Sequence, residues 1–382
     1  MSLPRLLVLT STLPRWEGDT EPAFVESLSF ELARSFDVTV LAPHARGAAR
    51  DEVRQHEDRT IRIRRFRYFI PGLESLAYEG GIMAKLRGNP FRILLVPFFL
   101  VAQLFAIARL HRRQRFDAVH AHWLIPQGLV ASCLNWVAKP APYCVTAHGS
   151  DLYMLGSGFM QRLKRRAAQR ATRVTVVSAA MRDKVAALGI APEDVAVRSM
   201  GVDLETKFTP GENADREGLL FVGRLVDVKG VPVLVDAIAQ LAVERPDITL
   251  TVIGDGPERR SIEDRISKLG IQERVRMQGS LSHDEIVPAL RAARVLVMPS
   301  VVTAEGAEEG FGLVAVEAMG CGCAVVASDL AGIRDAVRDG DTGLLARPGD
   351  AQDLAQKIST LLGDDARRDT LTRNARAHAV EN

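Results

Sequence analysis

The sequence predicts an α/β protein with two doubly wound, Rossmann-like domains, and three observations support this class. Short β-branched and apolar runs alternate with amphipathic stretches along most of the 382 residues, which is typical of parallel strands connected by helices. Residues 206–218, rich in Pro, Gly and polar residues, interrupt this alternation, which then begins again. A chain of this length also favours two domains over one.

The N-terminal half begins with a strand–loop–helix–strand unit. Residues 5–10 and 37–42 have the composition of buried strands, and residues 24–36 between them have the pattern of an amphipathic helix. Gly18 lies in the loop after the first strand, where doubly wound domains bind ligands, so it is a candidate contact. Further strands are predicted at 117–121, 143–146, 173–177 and 195–198.

His148 follows one of these strands, in the run Thr-Ala-His-Gly-Ser-Asp. A lone histidine is more often a structural residue with satisfied hydrogen bonds. Here the strand ends just before it and a glycine follows, so the ring is expected to project from the carboxyl edge of the sheet into a cleft between the domains. Asp151 is a weaker candidate for an acid beside it.

In the C-terminal half, residues 295–298 form a short apolar run that predicts a buried strand, and Pro299 ends it. An acidic loop follows, and Gly310 and Gly312 then leave the backbone uncovered where an apolar helix begins at Leu313. Free amides at the positive end of a helix dipole suit an anionic ligand. The segment is therefore a candidate anion site.

Two carboxylates, Glu309 and Glu317, belong to the same segment. Taken alone, they are equally well explained as an acid that favours the helix dipole and a solvated helix residue. A carboxylate next to a bare phosphate would repel it. Glu309 is therefore better explained if the ligand is a phosphate joined to a group that carries hydroxyls.

A second loop in this half carries two cations. Arg224 and Lys229 lie between Gly223 and Gly230, after a strand predicted at 219–222. Loop cations are more often solvated, but an arginine fork and a lysine near a helix N-terminus could neutralise a diphosphate through charge-assisted hydrogen bonds. We therefore expect both side chains to bind phosphate.

Charge is unevenly distributed along the chain. The net charge is +2, yet residues 61–115 contain eleven Arg and Lys against two acids, which gives +9 and indicates one basic face. Residues 93–108 are apolar and form either a core helix or a helix that also touches anionic lipid headgroups. Because this run is sixteen residues long and contains Pro97, we expect it not to cross a membrane. A nucleic-acid partner is not expected, since no recognition motif accompanies the basic patch.

Other classes of site are disfavoured. The loop after the first strand lacks the Gly-x-Gly-x-x-Gly of a dehydrogenase, and the chain lacks a P-loop. Asp339-Gly-Asp341, the clearest Asp-x-Asp, has the composition of a turn, so no metal is expected. The four cysteines lack zinc-site spacing, and no signal peptide opens the chain. We expect reduced thiols in a cytoplasmic protein.

Together these motifs resemble those of the retaining family-4 glycosyltransferases of the GT-B fold, along nearly the whole chain. The resemblance is carried by Glu309-x7-Glu317 between a Pro-Ser strand end and a Gly-Cys-Gly turn, by the Gly-Arg224-x4-Lys229-Gly loop, and by His148. It implies two Rossmann-like domains that face each other across a cleft. The expected boundaries are 1–205 for an N-terminal acceptor-side domain, 206–218 for a linker, 219–365 for a C-terminal nucleotide-sugar-binding domain, and 366–382 for a C-terminal tail.

The resemblance also implies roles for individual residues. His148 would be the active-site histidine, and Glu317 would lie near the donor ribose. The family's Gly-Gly pair in the first loop is reduced here to Gly18, and its closing helix back to the first domain is expected to be absent or truncated. The remaining implied donor contacts are Arg224 and Lys229 on the diphosphate, Met277 and Gly279 around the base, and Glu309, Gly310, Phe311, Gly312 and Leu313 on the transferred sugar.

The function implied is transfer of a sugar from a nucleotide-diphosphate donor to a saccharide or lipid-linked acceptor, with retention of configuration and without a metal or other cofactor. The expected setting is cell-surface polysaccharide or glycolipid synthesis, in the cytoplasm and peripherally on the inner face of the membrane, with residues 61–115 toward anionic lipid. Alternatives are a GT-B sugar-nucleotide epimerase, a phosphorylase-like enzyme, or a non-catalytic nucleotide-sugar-binding subunit. The presence of both His148 and Glu309 argues against the last.

Overall fold

The chain divides into two compact units, Met1–Gly201 and Val202–Asn382, which we call unit 1 and unit 2. This computed structural model describes residues 3–134, 141–154, 156–211 and 216–382. Each unit has its own sheet, almost entirely parallel, connected by helices. The predicted α/β class with two doubly wound domains is therefore confirmed.

Unit 1 is built on one sheet, which has eight strands within the described residues. These are β1 (Arg5–Leu9), β2 (Asp37–Pro43), β3 (Asp51–His56), β4 (Arg59–Phe66), β5 (Ala118–His122), β6 (Tyr143–Ala147), β7 (Arg173–Val176) and β8 (Val195–Val197). Their order is β3-β4-β2-β1-β5-β6-β7-β8, and neighbours are parallel except for the β3–β4 pair.

The antiparallel β3–β4 hairpin departs from the predicted pattern of parallel strands connected by helices. Its turn includes Glu57, a non-glycine residue with φ 53°. Cationic and apolar residues alternate after position 59 because successive side chains of β4 point to opposite faces of the sheet. Ile61 and Ile63 lie on the buried face and are fully buried. A periodicity of two is typical of a strand, but only a basic surface is predicted from the sequence for this segment.

Helices cover the sheet of unit 1. They are α1 (Phe24–Leu32), α2 (Gly81–Gly88), α3 (Leu95–Gln114), α4 (Leu129–Ser132), α5 (Ser150–Tyr153), α6 (Gly158–Gln169) and α7 (Ala180–Ala186). Helix α1 is shorter than the predicted 24–36. The residues after Leu32 form turns in which backbone amides donate hydrogen bonds to the carbonyls of Glu31 and Leu32. Val25 and Phe30 of α1 pack on Leu6, Val8 and Ile61 of the sheet.

Unit 2 has a six-stranded, fully parallel sheet within the described residues. Its strands are β9 (Glu217–Val222), β10 (Leu250–Ile253), β11 (Val275–Gly279), β12 (Ala293–Met298), β13 (Ala324–Ser328) and β14 (Leu344–Ala346). They lie in the order β11-β10-β9-β12-β13-β14. The core lies between this sheet and helices α8 (Val231–Glu244), α9 (Arg259–Lys268) and α12 (Ala351–Gly363).

Three further helices complete unit 2: α10 (His283–Ala292), α11 (Leu313–Gly320) and α13 (Asp365–Glu381). The stretch expected as a tail, 366–382, is thus helical. Asp364 caps α13 by accepting from the Arg367 amide, and Leu371 and Ala375 are buried. The Arg376 guanidinium donates to the carbonyls of Leu204 and Gly320. This segment is therefore part of unit 2.

The segment predicted as a linker is partly fixed in unit 2. The Arg291 side chain of α10 donates to the carbonyls of Lys207 and Thr209 and to the Thr209 hydroxyl, and Phe208 is buried. Residues 212–215 of the predicted linker lie outside the described residues. The described part therefore behaves as the first segment of unit 2.

The apolar run predicted at 93–108 belongs to a longer helical segment, Pro90–Gln114. It is the one such segment among the described residues whose length and hydropathy would suffice to cross a membrane, and about a fifth of its most apolar window is buried. The expectation that this run is too short to span a membrane was therefore wrong. Pro97 does not interrupt the helix, because it lies in the first turn of α3, where proline is tolerated. Phe99, Gln103 and Ile107 of α3 are buried, and the opposite face is exposed.

Candidate functional site

Three loops of unit 2 follow adjacent parallel strands, so they emerge at the same edge of the sheet. The loop 223–230 follows β9, the loop 299–312 follows β12, and the turn with Gly332 follows β13. The first two are joined by the Val301 amide, which donates to the Val228 carbonyl at 2.9 Å. The topology thus brings both predicted donor motifs into one region.

Lys229 and Glu309 form the central ion pair of this region. The Lys229 Nζ donates to Glu309 Oε2 at 2.5 Å, and both side chains are largely buried. Burial by itself would raise the pKa of Glu309, but the Lys229 ammonium and the backbone N–H groups of Gly310 and Gly312 hold that pKa below its usual range. The Glu309 carboxylate is therefore ionised at neutral pH.

Two glycines shape the backbone around Glu309. Gly312 precedes α11 with φ 86° and ψ 48°, in the left-handed region that side chains rarely adopt. A Cβ on Gly332 would lie 2.5 Å from the Glu309 carbonyl oxygen and 2.6 Å from that of Gly310. Both positions therefore exclude a side chain, which fixes the backbone that carries Glu309 against the turn after β13.

Glu317 lies inside α11, on a buried side of the helix. Its Oε1 pairs with His283 Nε2 at 2.7 Å, and its side chain is 4% exposed. His283 begins α10 and contacts the Phe208 ring, with 5.1 Å between ring centroids. Ser282 and Glu285 form the capping box that begins α10, a local pattern that gives no sign that His283 reaches Glu317.

The remaining donor-side candidates lie at the same sheet edge. Gly279 ends β11, and its carbonyl accepts from the Gly254 amide at 2.8 Å. Gly223, at the end of β9, donates to the Ile253 carbonyl of the neighbouring strand. Arg224 is exposed on the loop that begins there. Among the other candidates, Met277 is partly buried against the core, Phe311 is buried and Leu313 is half-buried.

Unit 1 places His148 in a cluster of three histidines. The Nε2 of His148 shares a hydrogen with His122 Nδ1 at 2.9 Å, and the His120 and His122 ring centroids are 4.4 Å apart. His120 Nε2 is held by the Thr146 hydroxyl at 2.8 Å. His122 is completely buried. His148 was a candidate from the sequence, but the two histidines of the previous strand were not predicted, although their i, i+2 spacing puts them on one face of β5.

Burial determines the charge of this cluster. It lowers the pKa of His120 to about 4 and that of His148 to about 3, and it also holds the pKa of His122 well below the usual value. The three rings are therefore neutral at physiological pH. His148 Nδ1 and His122 Nε2 make no hydrogen bond within the described residues.

Two aromatic residues flank His148. The Phe24 ring centroid is 5.1 Å and the Trp123 centroid 4.9 Å from that of His148, and both residues are half-buried. Trp123 has φ 73° and ψ 137°, a region that is essentially reserved for glycine and costs about 1–3 kcal/mol. Its amide donates to the Thr146 carbonyl, which helps to hold this conformation.

Asp151 supports the backbone of this site and does not contact the His148 ring. Its two carboxylate oxygens accept from the amides of His148 and Leu124, at 3.0 and 2.7 Å. Burial raises its pKa, against the effect of these hydrogen bonds. Gly18 lies on the exposed tip of the β1–α1 loop, which is closed by a bidentate Arg15–Asp19 pair.

No group of three or more His, Cys, Asp or Glu side chains that could hold a metal ion occurs in the described part of the chain. All four cysteines carry free thiols. Asp339 accepts from the Leu345 amide within the predicted turn.

Two family profiles divide the chain between them. The profile described as Glycosyltransferase Family 4 matches residues 23–206, and the profile described as Glycosyl transferases group 1 matches residues 203–378. Together with the fold and the motif residues described above, these matches define the protein as a glycosyltransferase.

Known proteins narrow this class further. The D-inositol 3-phosphate glycosyltransferase of an Arthrobacter species is 34% identical over 310 residues, which cover 74% of this chain and 72% of that protein. The chain therefore belongs to the family-4 glycosyltransferases. Sucrose-phosphate synthase from Thermosynechococcus elongatus superposes with a TM-score of 0.76 at 24% identity, covering 99% of this chain and 94% of that one. HepE of Anabaena, solved with UDP-glucose, superposes with a TM-score of 0.73 at 21% identity. The superposition covers 99% of this chain and 94% of HepE. These likenesses confirm the GT-B fold.

Proposed function

We propose that this glycosyltransferase moves a sugar from a nucleotide-diphosphate donor to a hydroxyl acceptor, with retention of anomeric configuration and without a metal. The observation that carries the proposal is the Lys229–Glu309 pair beside the start of α11. In this pair a cation suited to phosphate and a carboxylate suited to sugar hydroxyls lie 2.5 Å apart.

Unit 2 would bind the donor. Arg224, Lys229 and the first amides of α11 would neutralise the diphosphate, Glu317 would accept from the ribose, and the ends of β10 and β11 near Gly279 would line the base. HepE of Anabaena has been solved with UDP-glucose, which supports a nucleotide-sugar as the donor class. The pairing with His283 fixes the Glu317 carboxylate in a defined position before the nucleotide arrives.

The proposed chemistry places the acceptor on the same face of the sugar as the leaving group. The bond between the anomeric carbon and the β-phosphate oxygen breaks, and its electron pair leaves with the diphosphate. The acceptor oxygen bonds to the anomeric carbon, and its proton passes to the departing phosphate oxygen. Glu309 would stabilise the positive charge that develops on the sugar, and Lys229 the negative charge on the phosphate.

The histidine cluster of unit 1 fits this division of roles. With a pKa of about 3, His148 is a poor general base at neutral pH. A neutral imidazole beside two aromatic rings is instead suited to hydrogen-bond and pack against a sugar or acceptor. We therefore assign substrate positioning to His148 and proton acceptance to the leaving diphosphate.

We propose a saccharide or a lipid-linked saccharide as the acceptor, within cell-surface polysaccharide or glycolipid synthesis at the cytoplasmic face of the membrane. The exposed apolar face of α3 supports a site of action near lipid. The Arthrobacter relative is named for a phosphorylated polyol acceptor, so soluble phosphorylated polyols belong in the acceptor set that is tested.

The direct test is a donor panel that combines UDP-, GDP- and ADP-linked hexoses with and without EDTA. Release of nucleoside diphosphate from one donor, unchanged by EDTA, is expected, followed by an acceptor product whose anomeric configuration in NMR equals that of the donor. Loss of activity with EDTA would contradict the metal-free mechanism, and an inverted product would contradict retention. Formation of an epimerised sugar-nucleotide would favour the epimerase alternative.

A further inference from the structure

We propose that the exposed face of α3 and the adjoining loop form a docking surface for an anionic lipid bilayer, on which the helix lies in the membrane plane. We call this surface the α3 face. It consists of eight exposed apolar residues, 52–81% accessible, that lie in two neighbouring segments: Ile70, Leu73, Phe91, Ile93, Leu94, Phe98, Val101 and Phe105. The proposal does not depend on the transferase chemistry.

The spacing makes this face continuous. Leu94, Phe98, Val101 and Phe105 follow one another at intervals of four, three and four residues, so they lie along one side of the helix. Phe98 contacts Phe69 at 5.1 Å between ring centroids, which joins the loop segment to the helix. A contiguous exposed apolar surface of this kind, as opposed to single scattered residues, is typical of an interaction site.

The opposite side of α3 packs against the interior of unit 1. Phe99 contacts Phe66 and Tyr68, both at 5.2 Å between ring centroids, and Ile107 is fully buried. The helix then leads directly into β5, which pairs with β1 and β6 inside the sheet. A helix with one side packed on this sheet cannot be surrounded by lipid, so we infer in-plane contact.

The charges around the α3 face favour an anionic bilayer as its binding partner. Between residues 80 and 116 the chain has seven Lys and Arg and no Asp or Glu. Arg87 lies before the apolar stripe, and Arg109 and Arg113 lie after it, all exposed. Cations at both ends of an apolar helix face complement the negative surface of an anionic leaflet, while a protein partner would need a matching acidic rim.

Ion pairs within unit 1 limit which part of the basic segment can serve as the proposed lipid surface. The four arginines of 62–67 have acidic partners in unit 1: Arg62 pairs with Asp37, Arg64 with Asp51, Arg65 with Glu52, and Arg67 with Glu74. Arg65 is also buried. The positive charge of this strand is therefore largely compensated within unit 1, and the α3 segment supplies the basic surface.

The test is cosedimentation of the full chain with vesicles of phosphatidylcholine alone and of phosphatidylcholine mixed with phosphatidylglycerol, at low and high salt. Wild-type protein should bind the anionic vesicles, less strongly as salt screens the cations. The variant F98S/F105S should lose on the order of tenfold in partitioning for each ring, from the apolar area that no longer leaves water. The variant R109Q/R113Q should lose binding mainly at low salt.

Matched controls are Val243→Ser, an exposed apolar residue of α8 that is 85% accessible, and R367Q/R373Q, two exposed arginines of α13. Both should bind like wild type, and all variants should retain donor hydrolysis and their unfolding midpoints. Equal binding of wild type and F98S/F105S, or no binding to either vesicle, would overturn the proposal. So would a lipid-free dimer in sedimentation that F98S/F105S abolishes, because the α3 face would then be covered by a second copy.

Discussion

The two candidate sites, one in each unit, have opposite electrostatics. In unit 2 the site is built from charges, with Lys229 and Glu309 paired at 2.5 Å where α11 begins. In unit 1 the site is built from neutral rings, because burial holds the pKa values of His120 and His148 at about 4 and 3. A charged, preorganised site suits a ligand that is always anionic. If unit 1 receives the acceptor, as proposed, its neutral rings impose little preference for the charge of that acceptor.

The largest effect is expected from Glu309→Gln, which removes a charge from the charged site without changing its shape. If Glu309 stabilises positive charge that exists only in the transition state, turnover should fall by about 10²–10³-fold while nucleoside diphosphate affinity changes little. Steady-state kinetics and calorimetric titration of the nucleotide measure the two effects. Loss of nucleotide binding with turnover preserved would show that Glu309 serves the nucleotide instead.

A somewhat smaller loss, on the order of 10²-fold, is expected from Lys229→Ala, because the leaving diphosphate would lack its nearest cation. This substitution also leaves the largely buried Glu309 carboxylate without its partner. Lys229→Arg keeps the charge and should recover part of the rate, which separates the charge from the shape of the side chain. Unchanged kinetics in a folded Lys229→Ala protein would remove this loop from the phosphate site.

The comparison also shows what the sequence could and could not predict. Glu309, Lys229 and the glycines beside them could be chosen as candidates because each lies in a local motif that resembles one of the family's. His122 and His283 were missed because they reach the site through contacts across 26 and 34 residues of sequence. Gly332 supports the Glu309 backbone by close packing, which no local pattern reveals.

The same limit applies to the fold. Both parallel sheets were predictable from alternating apolar strands and helices. The β3–β4 hairpin was hidden because its arginines alternate with apolar residues, a pattern that also describes a basic surface. The apolar run of α3 was recognised, but its composition alone could not show which side would be buried against Phe66 and which would remain exposed.

A moderate effect is expected from His283→Ala, a positioning change next to Glu317. Without His283 Nε2 the 4%-exposed Glu317 carboxylate loses its hydrogen-bond partner, so nucleotide affinity should fall about tenfold, the scale of one charge-assisted bond. His283→Gln, which keeps a donor, should recover most of that loss. An effect on turnover with nucleotide affinity unchanged would contradict a role through the ribose contact.

The smallest effect concerns stability and tests the neutral site. Desolvation lowers the pKa of the half-buried His148 to about 3, whereas an unfolded chain binds that proton near the ordinary value of 6.5. Between these values the unfolded state carries more protons, so the free energy of unfolding falls as pH decreases, by at most about 1.4 kcal/mol per pH unit for each such group. His148→Gln removes one of these groups. Denaturant midpoints measured from about pH 7 to pH 4 should therefore fall less steeply in His148→Gln than in wild type.

The matched control is His56→Gln, which replaces an exposed ring of the same unit and should leave the slope almost unchanged. Equal slopes for wild type and His148→Gln would mean that the ring takes up its proton in the folded state, and His148 would then be available as a general base near neutral pH.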